Sequence, residues 1–131
     1  MKQPPVKEIQ NRNDIAQLVA AFYARVREHE HLGPIFNKVI TDWPAHLEIL
    51  TTFWESQLFL NRSYMGNPIK KHQDTDKAVN HSITMEHFGQ WLELWIATID
   101  EHFTGERAWI AQNRARKMAT MFFLEIYKAR Q

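Results

Sequence analysis

Cysteine is absent from this 131-residue chain, glycine occurs four times and proline five. Without thiolates there is neither a disulfide nor a cysteine-ligated metal, which suits a reducing compartment. No glycine-rich stretch forms a phosphate-cradling loop, and no serine stands in a nucleophile motif. Charge of one sign is lacking too: 16 basic against 15 acidic residues give +1, so no whole-molecule field draws nucleic acid or an anionic membrane. No apolar run approaches the ~18 residues of a membrane span, and Met1-Lys2-Gln3-Pro4-Pro5 lacks the apolar stretch of a secretory signal. A soluble, cytoplasmic protein is expected, with no nucleic-acid or membrane partner.

What remains is helix-forming. With 44% hydrophobic and 12% aromatic residues the chain can bury one core, so a single domain is expected over residues 13–131. Residues 1–12 are polar, carry two prolines and show no period, and read as a flexible N-terminal arm. From Asn13 as a cap, Ile15, Leu18, Val19, Phe22 and Val26 fall at helical spacing, and this helix should end near His31. Gly33-Pro34 breaks it, leaving Ile35 and Phe36 in a short connector. Asp42 caps a second helix whose buried face runs through Trp43, Leu47, Leu50, Trp54 and Leu58; Pro44 is tolerated in its first turn. Residues 61–68 form a turn-rich link, and 69–82 are polar and irregular, with room for one short helix. A third long helix starts at Thr84, with Ile83 and Phe88 placed as a hydrophobic staple, and continues through Trp91, Leu92, Trp95, Ile99 and Phe103. Gly105 suits the left-handed closure of that helix, and a last helix runs to about Ala129. No strand-period segment occurs; the chain reads as all-α with four substantial helices.

Chemistry must come from histidines and aromatics. His46 shares the apolar side of the second helix with Leu47, Leu50, Phe53 and Trp54, and His72 follows the turn stretch ending at Pro68. Two imidazoles beside an apolar helical pocket can hold a flat, iron-centred cofactor. An iron porphyrin needs a neutral imidazole on one face, an apolar slot, and polar hydrogens on the other face; Tyr23 O–H, His46 N–H and Trp91 N–H are available donors. Taken singly, Tyr23 is an ordinary core-edge tyrosine, Trp91 and Trp95 are core residues, Phe36 plugs a corner, and His29, His31, His87 and His102 are structural.

Their order along the chain carries more. Phe22-Tyr23, Leu32-Gly33-Pro34-Ile35-Phe36-Asn37, Trp43-x-x-His46, Phe53-Trp54, Tyr64-x-Gly66-x-Pro68-x-x-x-His72 and His87-Phe88-x-x-Trp91-Leu92 together resemble the truncated haemoglobins, most closely the third group, over residues 13–127. The glycine pairs typical of the other two groups are absent. The resemblance implies a globin-like, truncated two-over-two helical sandwich around haem b, with His72 as the proximal iron ligand and Tyr23, His46 and Trp91 on the distal side. Phe36, Ile49, Leu50, Phe53, Phe88 and Met118 are pocket walls, some by family position and others by helical spacing. His81 competes with His72 as ligand; His72 is preferred because it follows the matched Gly66-Asn67-Pro68 stretch. Lys70, Lys71 and Tyr64 are candidate partners for haem carboxylates.

The activity so implied is binding of O2 or another small diatomic ligand, with NO dioxygenase or peroxidase-like turnover of NO or peroxide as an extension that requires an unidentified electron donor. A monomer or weak homodimer is expected. The main alternative is a haem-free globin-like sensor or protein-interaction domain. A di-iron carboxylate bundle needs two Glu-x-x-His motifs, and only Glu28-x-x-His31 fits. The basic last segment, with Arg107, Arg114, Arg116, Lys117, Lys128 and Arg130, has the spacing of a solvated helix face and lacks a helix-turn-helix.

Overall fold

The computed structural model describes residues 6–60, 64 and 66–130. Among these, six helices and one pair of two-residue strands occur: β1 (Lys7–Glu8), α1 (Arg12–Glu28), α2 (Gly33–Val39), α3 (Trp43–Phe59), α4 (Pro68–Ala78), α5 (Met85–His102), β2 (Phe103–Thr104) and α6 (Glu106–Ala129). Helix α1 packs on α3 and α5 on α6, and the two pairs lie against each other through α1 with α5 and α3 with α6. This is the all-α, two-over-two arrangement expected from the sequence.

Aromatic residues at helical spacing build the centre. Trp95 is fully buried, stacks on Trp54 (centroids 4.7 Å apart) and Trp91 (6.0 Å), and meets the edge of Phe22 at 4.9 Å. Its indole N–H is satisfied by the Ala111 carbonyl at 3.2 Å. Each such ring pair adds about 0.5–1.5 kcal/mol beyond the area it buries, so α1, α3 and α5 are pinned together at one point. The small residues Ala108, Ala111, Ala115 and Ala119 bring α6 close to its neighbours. Ile83 and Phe88 pack together beside Ile126, as the staple requires, and Thr84 caps α5 by accepting from His87 N–H.

The structure corrects several expectations. Of the arm expected at 1–12, residues 1–5 lie outside the described residues, but Lys7–Glu8 pairs in parallel with Phe103–Thr104 and Ile9 is fully buried. A single large apolar side chain, held by the Arg107 guanidinium on its carbonyl (3.0 Å), anchors this stretch without any periodic signal. The cap of α1 is Asn11, not Asn13: its side chain accepts from Asp14 N–H at 3.0 Å, while the Asp14 carboxylate is itself buried and paired with Lys7 at 2.7 Å. Accordingly α1 begins at Arg12, and it ends at Glu28, short of His31.

The connector at Gly33-Pro34 is a helix in its own right, α2, with proline in its first turn. Gly33 is required there because a Cβ would lie 2.6 Å from the Arg27 carbonyl. The irregular crossing contains the full helix α4, capped by Asn67, whose side chain accepts from Lys70 N–H at 3.1 Å. Residues 61–63 and 65 of the turn-rich link lie outside the described residues. Gly105, with φ +94°, does not close α5; it turns the chain after β2 and caps α6.

Candidate functional site

A cavity of about 670 Å³ opens among α1, α2, α3, α4, α5 and α6, within the size range of small-molecule and cofactor sites. Tyr23, His46, Trp91 and His72 all line it, and so do Phe36, Ile49, Leu50, Phe53, Phe88 and Met118. Residues from Tyr23 to Met118 are therefore gathered around one space. Ile49 is 41% exposed, being at the edge of the cavity rather than in the core.

His72 stands on α4, which packs against α6. Its ring lies almost flat on Phe122, with centroids 4.3 Å apart and planes 23° from parallel, and faces Phe88 at 6.1 Å. Nδ1 sits 2.6 Å from the Pro68 carbonyl one turn back. A carbonyl only accepts, so Nδ1 carries the hydrogen and Nε2 keeps a free lone pair, which is how metal-binding histidines are oriented. Burial lowers the pKa of His72 and the Pro68 carbonyl opposes that shift, so the ring is neutral near pH 7.

The other side of the cavity is built by α1, α3 and α5. Tyr23 is 5% exposed and meets Phe22, Phe36, Trp43 and His46 edge-on or tilted, at 4.7 to 6.0 Å. The Trp91 indole is a hydrogen-bonding neighbour of the Tyr23 hydroxyl that works against the effect of burial on it. An indole N–H can only donate, so toward Trp91 the tyrosine oxygen acts as an acceptor and its own hydrogen is left for another partner. Burial raises the Tyr23 pKa above its usual 10, against the effect of Trp91, and the hydroxyl stays protonated throughout the physiological range. His46 is held edge-on to Tyr23 and Trp43, at 6.0 and 5.7 Å. Its pKa is lowered by burial first, then by the charges of Lys71 and His72.

Among the remaining candidates, Lys71 and Tyr64 reach the cavity wall, whereas Lys70 is exposed and paired with Asp74 at 3.2 Å. His81 does not line the cavity: its Nδ1 lies 3.1 Å from the buried Asp76 carboxylate, and its backbone is left-handed at φ +58°. Glu28 and His31 lie outside the cavity wall as well. Sequence reasoning missed Phe122 as the platform under His72, although it stands four residues after Met118 on the same helix face. It also missed His87, which serves the α5 cap through Nδ1 and still borders the cavity. Ile83, read only as a staple, is part of the wall.

These residues fit a porphyrin. The walls are apolar and aromatic, one imidazole offers a lone pair, protonated donors converge from other helices, and Lys71 supplies a cation for a carboxylate. No protein-family model matches the chain. It is similar to a group 3 truncated hemoglobin of Campylobacter jejuni, with 32% identity over 122 residues covering 90% of this chain and 92% of that one. The fold is similar to the crystal structure of a group III truncated hemoglobin from the same organism, at a TM-score of 0.83 and 32% identity, covering 95% of this chain and 97% of the other.

Proposed function

The chain belongs to the group III truncated haemoglobins, and from that membership we propose that its cavity holds haem b, with His72 as the iron ligand, and binds O2 or another small diatomic molecule. When bound, haem would supply an iron to which such a molecule can coordinate. Every other part of the job falls to the chain. His72 offers Nε2, held in one tautomer by Pro68 and kept from rotating by Phe122. Phe36, Phe53, Phe88 and Met118 exclude water from the slot. Tyr23, fixed by the Trp91 N–H, presents an O–H to negative charge developing on a guest molecule. Lys71 and Tyr64 stand where a carboxylate of the cofactor can be met.

The single observation that carries this reading is that one apolar cavity is lined both by His72, whose Nδ1 hydrogen is spent on Pro68, and by the buried Tyr23. A haem-free interaction domain is disfavoured by the same cavity. Filling such a space with side chains gains stability, so a core without a guest has no physical reason to keep it open.

Binding of a small molecule calls on the three polar groups of the distal side, Tyr23, His46 and Trp91. Burial raises the Tyr23 pKa and, as the largest cause, lowers that of His46, so both groups are uncharged near neutrality and offer an O–H and an N–H. Turnover of NO or peroxide would further need an electron donor.

Titration with hemin tests the proposal. Wild-type protein is expected to develop a strong Soret band that His72→Ala loses while keeping its helical circular dichroism. A folded protein that takes up no hemin refutes it. For NO or peroxide with a reductant present, rates no greater than those of free hemin place the protein among binders.

A further inference from the structure

Helix α4 runs alongside the last turns of α6 in matched order. His72 lies on Phe122, Gln73 donates to the Glu125 carbonyl at 3.2 Å, and Asp76 meets Arg130. Asp76 is one helical turn beyond His72 and only 2% exposed. Its carboxylate receives Arg130 at two points, Nε at 2.9 Å and Nη2 at 2.7 Å. The Ile83 N–H adds a third hydrogen bond at 3.2 Å, and His81 Nδ1 approaches to 3.1 Å. The same Arg130 nitrogen also donates to the Ile83 carbonyl at 2.6 Å, so one guanidinium joins α6, the end of α4 and the entry to α5.

A buried ion pair is a poor source of net stability, because desolvation of both ions offsets their attraction. What it supplies is geometry: a guanidinium fork donates to a carboxylate in one plane and at one distance. Elsewhere α4 has little to fix it. It is largely polar, and α6 is its main packing partner.

We propose that Asp76 and Arg130 are positioning residues for His72: the two-point pair sets the rotation and height of α4 on α6, and thereby how the imidazole meets a metal in the cavity. This rests on the haem reading above. It gives the C-terminal turn of the chain a role in ligand chemistry although Arg130 does not line the cavity.

Arg130→Met and Asp76→Asn test it, each loaded with hemin, with Ile9→Ala as a control that destabilises the core away from α4. Resonance Raman of the ferrous iron–imidazole stretch is the decisive readout. The two latch variants are expected to shift or broaden that band and to release hemin at least about tenfold faster, with the Soret band retained. Ile9→Ala should leave the band where it is in wild type. An unshifted band in Arg130→Met, or an equal shift in Ile9→Ala, overturns the proposal. Hydrogen exchange on hemin-free protein separates this idea from the haem reading. If wild type binds no hemin, that reading has failed on its own, and the latch is then judged by α4 amides alone: exchange about tenfold faster in Arg130→Met supports it, and unchanged exchange overturns it.

Discussion

Tyr23 shows how one buried polar group can be both satisfied and available. Trp91 is its hydrogen-bonding neighbour, and burial keeps its hydrogen in place. Replacement by phenylalanine removes the only O–H among Tyr23, Trp91 and His46 and orphans the indole N–H. A hydrogen bond to a charged acceptor contributes about 1.5–3 kcal/mol, so Tyr23→Phe is expected to speed O2 release by roughly ten- to hundredfold. Stopped-flow dissociation checks this; an unchanged rate removes Tyr23 from ligand holding. His46 makes a second test at this scale. Because burial depresses its pKa below 6.5, the folded state binds a proton less readily than the unfolded chain does. Stability from neutral His46 is thus complete above pH 6.5 and is lost as pH falls through the lower, folded-state value. Melting of hemin-free protein between pH 7.5 and 5 should show a decline that His46→Gln reduces. Asp76 acts in a separate, more acidic window: despite the desolvation that works against it, hydrogen bonds from Arg130, His81 and Ile83 hold its pKa below 3.8.

Elements differ in how far their sequence announces them, and the reason lies in where each gets its stability. Helices α1, α3, α5 and α6 bury an apolar stripe, so periodicity reveals them and their caps at Asp42 and Thr84. Helix α4, with the sequence PIKKHQDTDKA, has no such stripe. It is held by the Asn67 cap and the ring stack on Phe122 and oriented by the buried Asp76, none of which leaves a period. The site was more legible than this helix that carries part of it, because the order of aromatics and histidines identifies family positions without any knowledge of local structure. Phe122 escaped notice for the opposite reason: as one apolar residue in a regular stripe it looked like ordinary core. Since α4 depends on its ends, Asn67→Ala should cost it about 0.5–2 kcal/mol. The expected outcome is faster amide exchange through residues 68–78 with little change in α1. Equal protection in mutant and wild type would mean that α6 alone holds the helix.

For the whole molecule, the helix pairs α1/α3 and α5/α6 make a rigid frame around Trp95, while the cavity separates α3 from α4, which hardly touch each other. The frame is further closed by Ile9 and the parallel β1–β2 contact, which tie the start of the chain to the α5–α6 junction. A structure divided in this way should be folded but weakened when the cavity has no guest, because apolar walls such as Ile49 and Phe53 then lack packing partners on their cavity side. Any ligand that binds only the folded state adds stability by mass action, about 2.7 kcal/mol at a hundredfold excess over its Kd. For a chain of this length that corresponds to a rise in Tm on the order of 10 °C. Calorimetry of hemin-loaded and hemin-free wild type should show this difference, and His72→Ala should show much less of it at the same hemin concentration. A full shift in the variant would locate the binding energy in the apolar walls and take it away from the imidazole. No shift in either protein would mean that hemin does not enter the folded frame.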